Sequence, residues 1–434
     1  MPHVLAQSVE IFTTVLTVAG MGYFLAAILA ARVFIAARRA QLPAFAPDVT
    51  ILKSLKGLDP AMLDAFRSHC RQAYSGEVEF LFGISSLDDP AIAAVEELKL
   101  EFPDRSIQLI ECPKSLGANG KVSTLIQLAR HARHDYLLIN DSDITVSPRY
   151  LERVMAHFAP NQILPGELAP NDSALYQGTT SVVPQTAQHK SRALAPADLP
   201  FQPAKHTQET GLVTALYRGR AQSTLPSRLE SFGIATDFQA GVLLSRMIEG
   251  GLHYGLGSTL ALSRAALERI GGLETLVDHL ADDYELGARV SKAGYRVVLS
   301  AEVVETAVPA YTWRAFIEHQ LRWARTVRDA RPWGYAGLIF THGLAWAVLN
   351  VIASGLSPLS LWLLALSFFL CLALAMTVGA QVLADHQVLP NLWLLPFRDL
   401  LAIVLWAFGF AGNIIVWRGQ RFELKNGRLQ KASN

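Results

Sequence analysis

The sequence predicts an α/β domain, with a mostly parallel sheet flanked by helices, held between transmembrane α-helices. Two observations predict it. Apolar residues crowd the two ends of the 434-residue chain, and between those ends short apolar runs alternate with helical stretches. Hydrophobic residues make up 51% and charged residues 17% of the chain, and the mean hydropathy is positive. That length accommodates one domain of about 250 residues plus several spans.

The first apolar run, Ser8 to Ala36, carries only Glu10 and Arg32 as charges and is long enough to cross a hydrocarbon core of roughly 30 Å. A cleaved signal peptide would begin with positive charge and have a shorter apolar run. Here Arg38 and Arg39 follow the run, so the domain after it is expected on the cytoplasmic side. Three further runs, Ala336 to Ala353, Leu359 to Leu383 and Leu400 to Trp417, read as spans. Four spans conflict with charge, because Arg418, Arg421, Lys425, Arg428 and Lys431 also favour the cytoplasm. One run is therefore expected to be re-entrant or interfacial.

Between the ends, Val49 to Leu55, Val78 to Ile84, Ile107 to Cys112 and Tyr136 to Asn140 are strand-length apolar runs, with helical stretches such as Pro60 to Ala73 and Pro90 to Leu100 between them. This is βαβ patterning, which places ligands at the carboxyl ends of the strands. From Pro160 to Thr207 the composition turns to Pro, Gln, Ser, Thr and Ala without period, as in a surface insertion or flexible loop. The expected divisions are residues 8–36 for an N-terminal span, 48–310 for the α/β domain with its 160–207 insertion, and 311–333 for an interfacial amphipathic segment. Residues 336–417 would hold two to three spans and 418–434 a basic tail. A net charge of +1 gives no bias toward nucleic acid, and Cys70, Cys112 and Cys371 show no paired spacing for disulfides or zinc.

Chemistry concentrates in a few places. The run Tyr136 to Asn140 ends in Asp141 and Asp143, hard-oxygen ligands suited to Mg²⁺ or Mn²⁺ beside a diphosphate, or else turn carboxylates that cap backbone N–H groups. Asp282, Asp283 and Glu285 open a helical stretch, either as an acidic first turn or as the source of a base that deprotonates an attacking hydroxyl. Asp88 and Asp89 close the second strand, where a carboxylate could bind a nucleoside or simply start a helix. Gly117 to Lys121 is a flexible turn whose backbone N–H groups and lysine suit phosphate oxygens. The glycines of Tyr254 to Thr259 fit ordinary tight turns. Arg322, Arg325 and Arg328 recur at helical spacing ahead of the C-terminal runs, either anchoring to headgroups or clamping a diphosphate.

Taken in order, Leu52 to Pro60, Asp88 to Pro90, Gly117 to Lys121, Asp141 to Pro148, Gly211 to Thr214, Gly271 to Leu273, Ala281 to Tyr284, His319 to Trp323 and Trp417 to Arg421 resemble the ceramide glucosyltransferase family, glycosyltransferase family 21, and within it the bacterial hopanoid-associated branch. The resemblance implies a GT-A type nucleotide-sugar domain, a UDP-sugar donor, Mg²⁺ or Mn²⁺, an inverting mechanism and a membrane lipid acceptor. The form of the motifs points to N-acetylglucosamine and a hopanoid, with ceramide and UDP-glucose as the alternative. It also implies a bacterial inner-membrane protein with a cytoplasmic catalytic domain. Carried over by position, Asp283 is the base and Asp141 and Asp143 hold the metal. Asp88, Asp89, Lys121, Asp141, Asp282, His319, Gln320, Arg322 and Trp323 bind the nucleotide sugar. His319 departs from the Gln or Arg usual at its position, and the 160–207 segment has no counterpart in the animal enzymes.

Overall fold

The computed structural model describes residues 2–39, 41–59, 61–160, 209–417 and 420–431. The expected insertion, from residue 161 onward, and Arg418 lie outside the described residues.

An eight-stranded sheet forms the middle of the molecule, in the order β3-β2-β1-β4-β7-β6-β8-β5. Its strands are β1 Val49–Ser54, β2 Val78–Ile84, β3 Ser106–Glu111, β4 Tyr136–Ile139, β5 Ile144–Thr145, β6 Thr210–Arg220, β7 Leu260–Ser263 and β8 Arg296–Ala307. β3, β2, β1 and β4 pair in parallel, as do β6 and β8, while β7 runs antiparallel to both β4 and β6. The α/β expectation holds, with β7 and the edge strand β5, which runs antiparallel to β8, as the exceptions. β2 is buried along its whole length, which is why it reads as an uninterrupted apolar run rather than an alternating one.

The helices are α1 Pro2–Ala37, α2 Met62–Cys70, α3 Ala91–Glu101, α4 Gly120–Ala129, α5 Tyr150–Met155, α6 Leu225–Gly233, α7 Gln239–Ile248, α8 Arg264–Arg269, α9 Asp282–Lys292, α10 Trp313–Ala330, α11 Pro332–Gly337, α12 Gly343–Ala353, α13 Pro358–Ala375 and α14 Leu395–Gly409. A π-helical turn, Ile234–Phe238, joins α6 to α7, and another, Met376–Val382, extends α13.

Among the described residues three helical stretches are long and apolar enough to cross a membrane, Val4–Ala37, Pro358–Val382 and Leu389–Gly409, and a fourth counts if the pair bent by 56° at His342 is one span. Their packing separates them. α1, α12 and α13 pack on one another, and Thr13 and Thr14 of α1 both donate hydroxyl protons to Asn350 Oδ1 of α12. α14 lies along amphipathic α10 and also meets α12. Phe397 meets Trp313 edge-on at one end, and Arg328 Nη1 donates to Gly409 O at the other (2.6 Å).

The run from Leu400 to Trp417, expected as a span, therefore stops at Gly409. Ile414–Trp417 is a strand, β9, which pairs with β10 Gln420–Lys425, and β10 pairs in turn with β11 Arg428–Lys431. The expected basic tail is a three-stranded antiparallel sheet. Its turn, Asn426 and Gly427, has positive φ at both residues (51° and 76°), the conformation of a two-residue hairpin that Asn-Gly adopts most readily. Leu429 N–H donates to Asp278 O (2.8 Å), and Gly427 N–H donates to the Asp329 carboxylate of α10. The C-terminal sheet thus sits on the same side as the α/β domain.

Arg325 and Arg328, read from sequence as part of a basic face toward lipid headgroups or phosphate, are used inside the protein. Arg325 donates to the carbonyls of Ala411 and Ile414, and Arg328 to Gly409 O and Asn413 Oδ1. Carbonyls at a helix C-terminus lack intrahelical donors, and these guanidiniums supply them.

Candidate active site

β4 ends at Ile139, and Asn140 anchors the turn that follows, its Nδ2 donating to Ser258 O (2.7 Å) and to Tyr150 Oη (3.1 Å). Asp141 emerges next with its side chain 45% exposed, and Lys121 Nζ lies 2.7 Å from its Oδ1. Lys121 belongs to the first turn of α4, whose N-cap Asn119 accepts from Val122 N–H. The same ammonium lies 3.5 Å from Asp282 Oδ2, while Asn119 Nδ2 donates to Asp282 Oδ1 (3.2 Å). Burial alone would lower the Lys121 pKa; Asp141 and Asp282 overcome that and hold it above its ordinary value. One cation thus joins Asp141 and Asp282, 141 positions apart in sequence.

Asp283 is oriented by backbone donors. Gly257 N–H donates to its Oδ2 and Tyr284 N–H to its Oδ1, both at 2.8 Å. The Gly257 turn is seated by α9 itself, where a Cβ on Gly287 would lie 2.1 Å from Gly255 N; only glycine permits that approach. A Cβ on Gly257 would meet Asp283 Oδ2 at 3.0 Å and Asp141 Oδ2 at 3.7 Å. The two carboxylates therefore face one small volume. Burial, and then the neighbouring Asp282, raise the Asp283 pKa, so this carboxylate is more basic than an exposed one.

Asp143 turns toward β8, where Oδ2 accepts from Thr306 Oγ1 and from Ala307 N–H (3.2 Å). Burial first, then Asp141, push its pKa up to about 6. Asp141 and Asp143 supply hard oxygens of the kind Mg²⁺ or Mn²⁺ takes. Among the described residues no group of three or more His, Cys, Asp or Glu forms a closed cage. A donor set of two carboxylates suits an ion that completes its shell with phosphate oxygens and water.

Asp88 and Asp89 are not in contact with these carboxylates. Asp88 is exposed. Asp89 accepts from the N–H groups of Gly57 (3.0 Å) and Ala91 (2.9 Å), so it fixes the loop after β1 and the start of α3. That loop leads back to the site, because Asp59 accepts from the hydroxyl of Ser142, between Asp141 and Asp143.

On α10, His319 Nδ1 lies 3.0 Å from Glu230 Oε2, and Gln320 Nε2 donates to the same oxygen (3.4 Å). His319 also stacks on Tyr311 at 5.4 Å and meets Trp323 at 5.3 Å. Trp323 continues to Phe238 (5.8 Å) and Phe238 to Tyr217 (5.7 Å), so the rings form a wall from α10 to β6. Burial, followed by Asp283, Glu230, Asp141 and Asp143, drives the Tyr217 pKa well up; this phenol sits where the acidic groups converge. Burial and then Glu230 raise that of Tyr311, on which Arg322 acts in the opposite sense.

Tyr217, Tyr311, Glu230, Asp59 and Lys53 were not singled out from the sequence. Lys53 is fully buried in β1 and donates to Asp141 O (3.1 Å). A lysine inside an apolar strand was its available signal, and Asp59 stands in the same motif-like run, Leu52 to Pro60; Tyr217, Tyr311 and Glu230 carry none that local pattern could reveal.

A profile described as Glycosyl transferase family 21 matches residues 12–164 and 202–430. The chain belongs to that family. Within reach of this family 21 chain, ceramide glucosyltransferase 1 of Caenorhabditis elegans is 21% identical over 403 residues, covering 89% of this chain and 74% of the worm protein. Ceramide glucosyltransferase 3 of the same organism is 22% identical over 279 residues, covering 64% of this chain and 50% of its own length. The chain thus spans about half the length of the latter. Among solved structures, the mannosyltransferase PcManGT from Pyrobaculum calidifontis in complex with GDP-Man and Mn2+ aligns over 93% of this chain and 97% of its own at 17% identity, with a TM-score of 0.48.

Proposed function

We propose that this family 21 chain is an inverting glycosyltransferase that moves a sugar from a UDP-sugar to the hydroxyl of a membrane lipid. The supporting observation is the shared volume between Asp283 and Asp141, closed on one side by Lys121. Asp283, held by two backbone donors, takes the proton from the lipid hydroxyl. The oxygen then attacks the anomeric carbon from the face opposite the diphosphate, a new C–O bond forms, and the bond to the diphosphate breaks. Lys121 faces the charge that builds on the leaving group. Asp141 and Asp143 would hold a divalent cation there, which offsets the same charge. Arg322 and Trp323 would close over the donor, with His319 and Gln320 held in place by Glu230. Asp89 and Asp88 would order the nucleoside side through the loop after β1, and Asp282 would set the position of Lys121.

The proposed acceptor is a hopanoid receiving N-acetylglucosamine, in a bacterial inner membrane with the α/β domain toward the cytoplasm. Ceramide with UDP-glucose is the second reading, supported by the names of the worm relatives. Membranes containing the chain are incubated with labelled UDP-N-acetylglucosamine or UDP-glucose and extracted with organic solvent. Label in one hopanoid supports the first reading, and label in ceramide the second. Insoluble labelled polymer, or no incorporation from either donor, overturns lipid transfer.

A further inference from the structure

Arg398 and Asp399 are the only charged residues of the apolar stretch Leu389–Gly409. Charges in such a stretch are costly and serve a function by default. Asp399 has partners, since Ala345 N–H donates to its Oδ2 (2.6 Å) and His342 Nδ1 lies 3.9 Å from its Oδ1. Arg398 is different. Its side chain is 12% exposed and Nη2 reaches Asp237 Oδ2 at 3.4 Å, yet Nε and Nη1 are buried with no hydrogen-bond partner among the described residues. Leaving such donors unmet is expensive, more so for a charged group.

The surroundings are shaped around this guanidinium. Gly233, the last residue of α6, makes room for it: a Cβ there would lie 2.2 Å from Arg398 Nε. Asp237 belongs to the π-helical turn and is itself 41% exposed, and such turns recur at functional sites. The next residue, Phe238, belongs to the ring wall that reaches Tyr217 and Trp323. On the outer side the exposed rings of Trp313 and Phe397 meet edge-on at 6.5 Å, the amphipathic kind of surface that sits at a membrane interface.

We propose that Arg398 and Asp237 bind the polar head of the lipid acceptor. Asp237, 41% exposed, accepts from a hydroxyl group of the head, and Arg398 holds that carboxylate in place through Nη2 (3.4 Å). The pair is neutral and its exposed group is a carboxylate acceptor, which selects an uncharged, hydroxylated head over a phosphate. The inference rests on lipid transfer as proposed above and adds the site that holds the lipid.

The test uses the full chain in lipid nanodiscs, with a hopanoid polyol and a short-chain ceramide as acceptor probes and UDP as the probe of donor binding. Arg398→Met keeps the length of the side chain and removes its donors. With whichever acceptor the unaltered chain uses, the acceptor KM is expected to rise about tenfold or more, with UDP affinity unchanged. Asp237→Asn, at a partly exposed position where folding is not at stake, is expected to shift acceptor KM in the same direction. Unchanged acceptor KM in both variants overturns the assignment while leaving the transfer reading intact. Loss of UDP affinity in Asp237→Asn would also overturn it, since the residue would then serve the donor side. If the unaltered chain transfers to neither lipid, the transfer reading itself fails and the inference with it.

Discussion

The acidic site at the strand ends and the C-terminal sheet make opposite use of charge. At the strand ends, carboxylates are crowded together in partial burial: Asp141 and Asp282 share a single lysine and add to the burial that raises the proton affinity of Asp143 and Asp283. Against the C-terminal region, three charges of α10 are spent on closing backbone. Arg325 and Arg328 satisfy carbonyls after α14, and Asp329 takes the N–H of Gly427. The first arrangement stores unfavourable interaction at a place where a ligand can relieve it. The second supplies donors and acceptors to backbone groups that the helix end and the turn leave open.

The sharpest way to break this contrast is Asp283→Asn. The amide keeps size and can keep one of the two backbone hydrogen bonds, but it cannot take a proton. A fall in kcat of roughly 10²–10⁴-fold is expected, the range for a general base, with UDP affinity retained. If kcat for lipid transfer stays within a few-fold of the unaltered chain, the proton goes elsewhere and the crowding of carboxylates has another purpose.

A smaller effect is expected at Gly427, in the region where charge only closes backbone. Its φ of +76° is forbidding to a β-branched side chain, and a Cβ would come within 3.4 Å of His279 Nδ1. Gly427→Val should loosen the turn that holds residues 278–280, costing about 1 kcal/mol or more of stability. Because Asp278 O and Asp282 flank that segment, the rate should drop several-fold through α9, without loss of metal dependence. Thermal unfolding and kcat measured together distinguish this from damage to the site: a normal melting temperature with a lost metal response would place Gly427 in the acidic site instead.

These two regions also differ in how much of them the sequence discloses. Asp141 and Asp143 were legible because they end an apolar run, and Asp282 and Asp283 because they open a helix. The sheet's central strands were legible because both their faces are buried, leaving unbroken apolar runs. The C-terminal sheet had a local signal as well: Asn426-Gly427 between Phe422-Glu-Leu and Arg428-Leu-Gln alternates as a hairpin does, but basic residues in the same stretch suggested a tail. Glu230, Tyr217 and Arg398 could not be found this way. Glu230 meets His319 and Gln320 at separations of 89 and 90 residues, Arg398 meets Asp237 at 161, and Tyr217 joins Trp323 of α10 only through Phe238; no period or motif in one chain announces such contacts.

The mildest test concerns Asp143. Its folded pKa of about 6 stands above the ordinary carboxylate value of 3.8, chiefly from burial. A raised carboxyl pKa means that the folded protein holds its proton more tightly than the unfolded chain. Stability from this group is therefore full below about pH 4 and is lost as pH rises from there through about 6. At neutral pH the ionised carboxylate costs about 1–2 kcal/mol, discounted from the full shift because the residue is partly open to solvent. Asp143→Asn removes the charge and should melt later than the unaltered chain at pH 7, and at the same temperature below pH 4. Mn²⁺ should narrow the gap at pH 7 by stabilising only the carboxylate form. An Asp143→Asn chain less stable at pH 7, with no response of the unaltered chain to Mn²⁺, would make this carboxylate a structural partner of Thr306, and so move it from the first kind of region to the second.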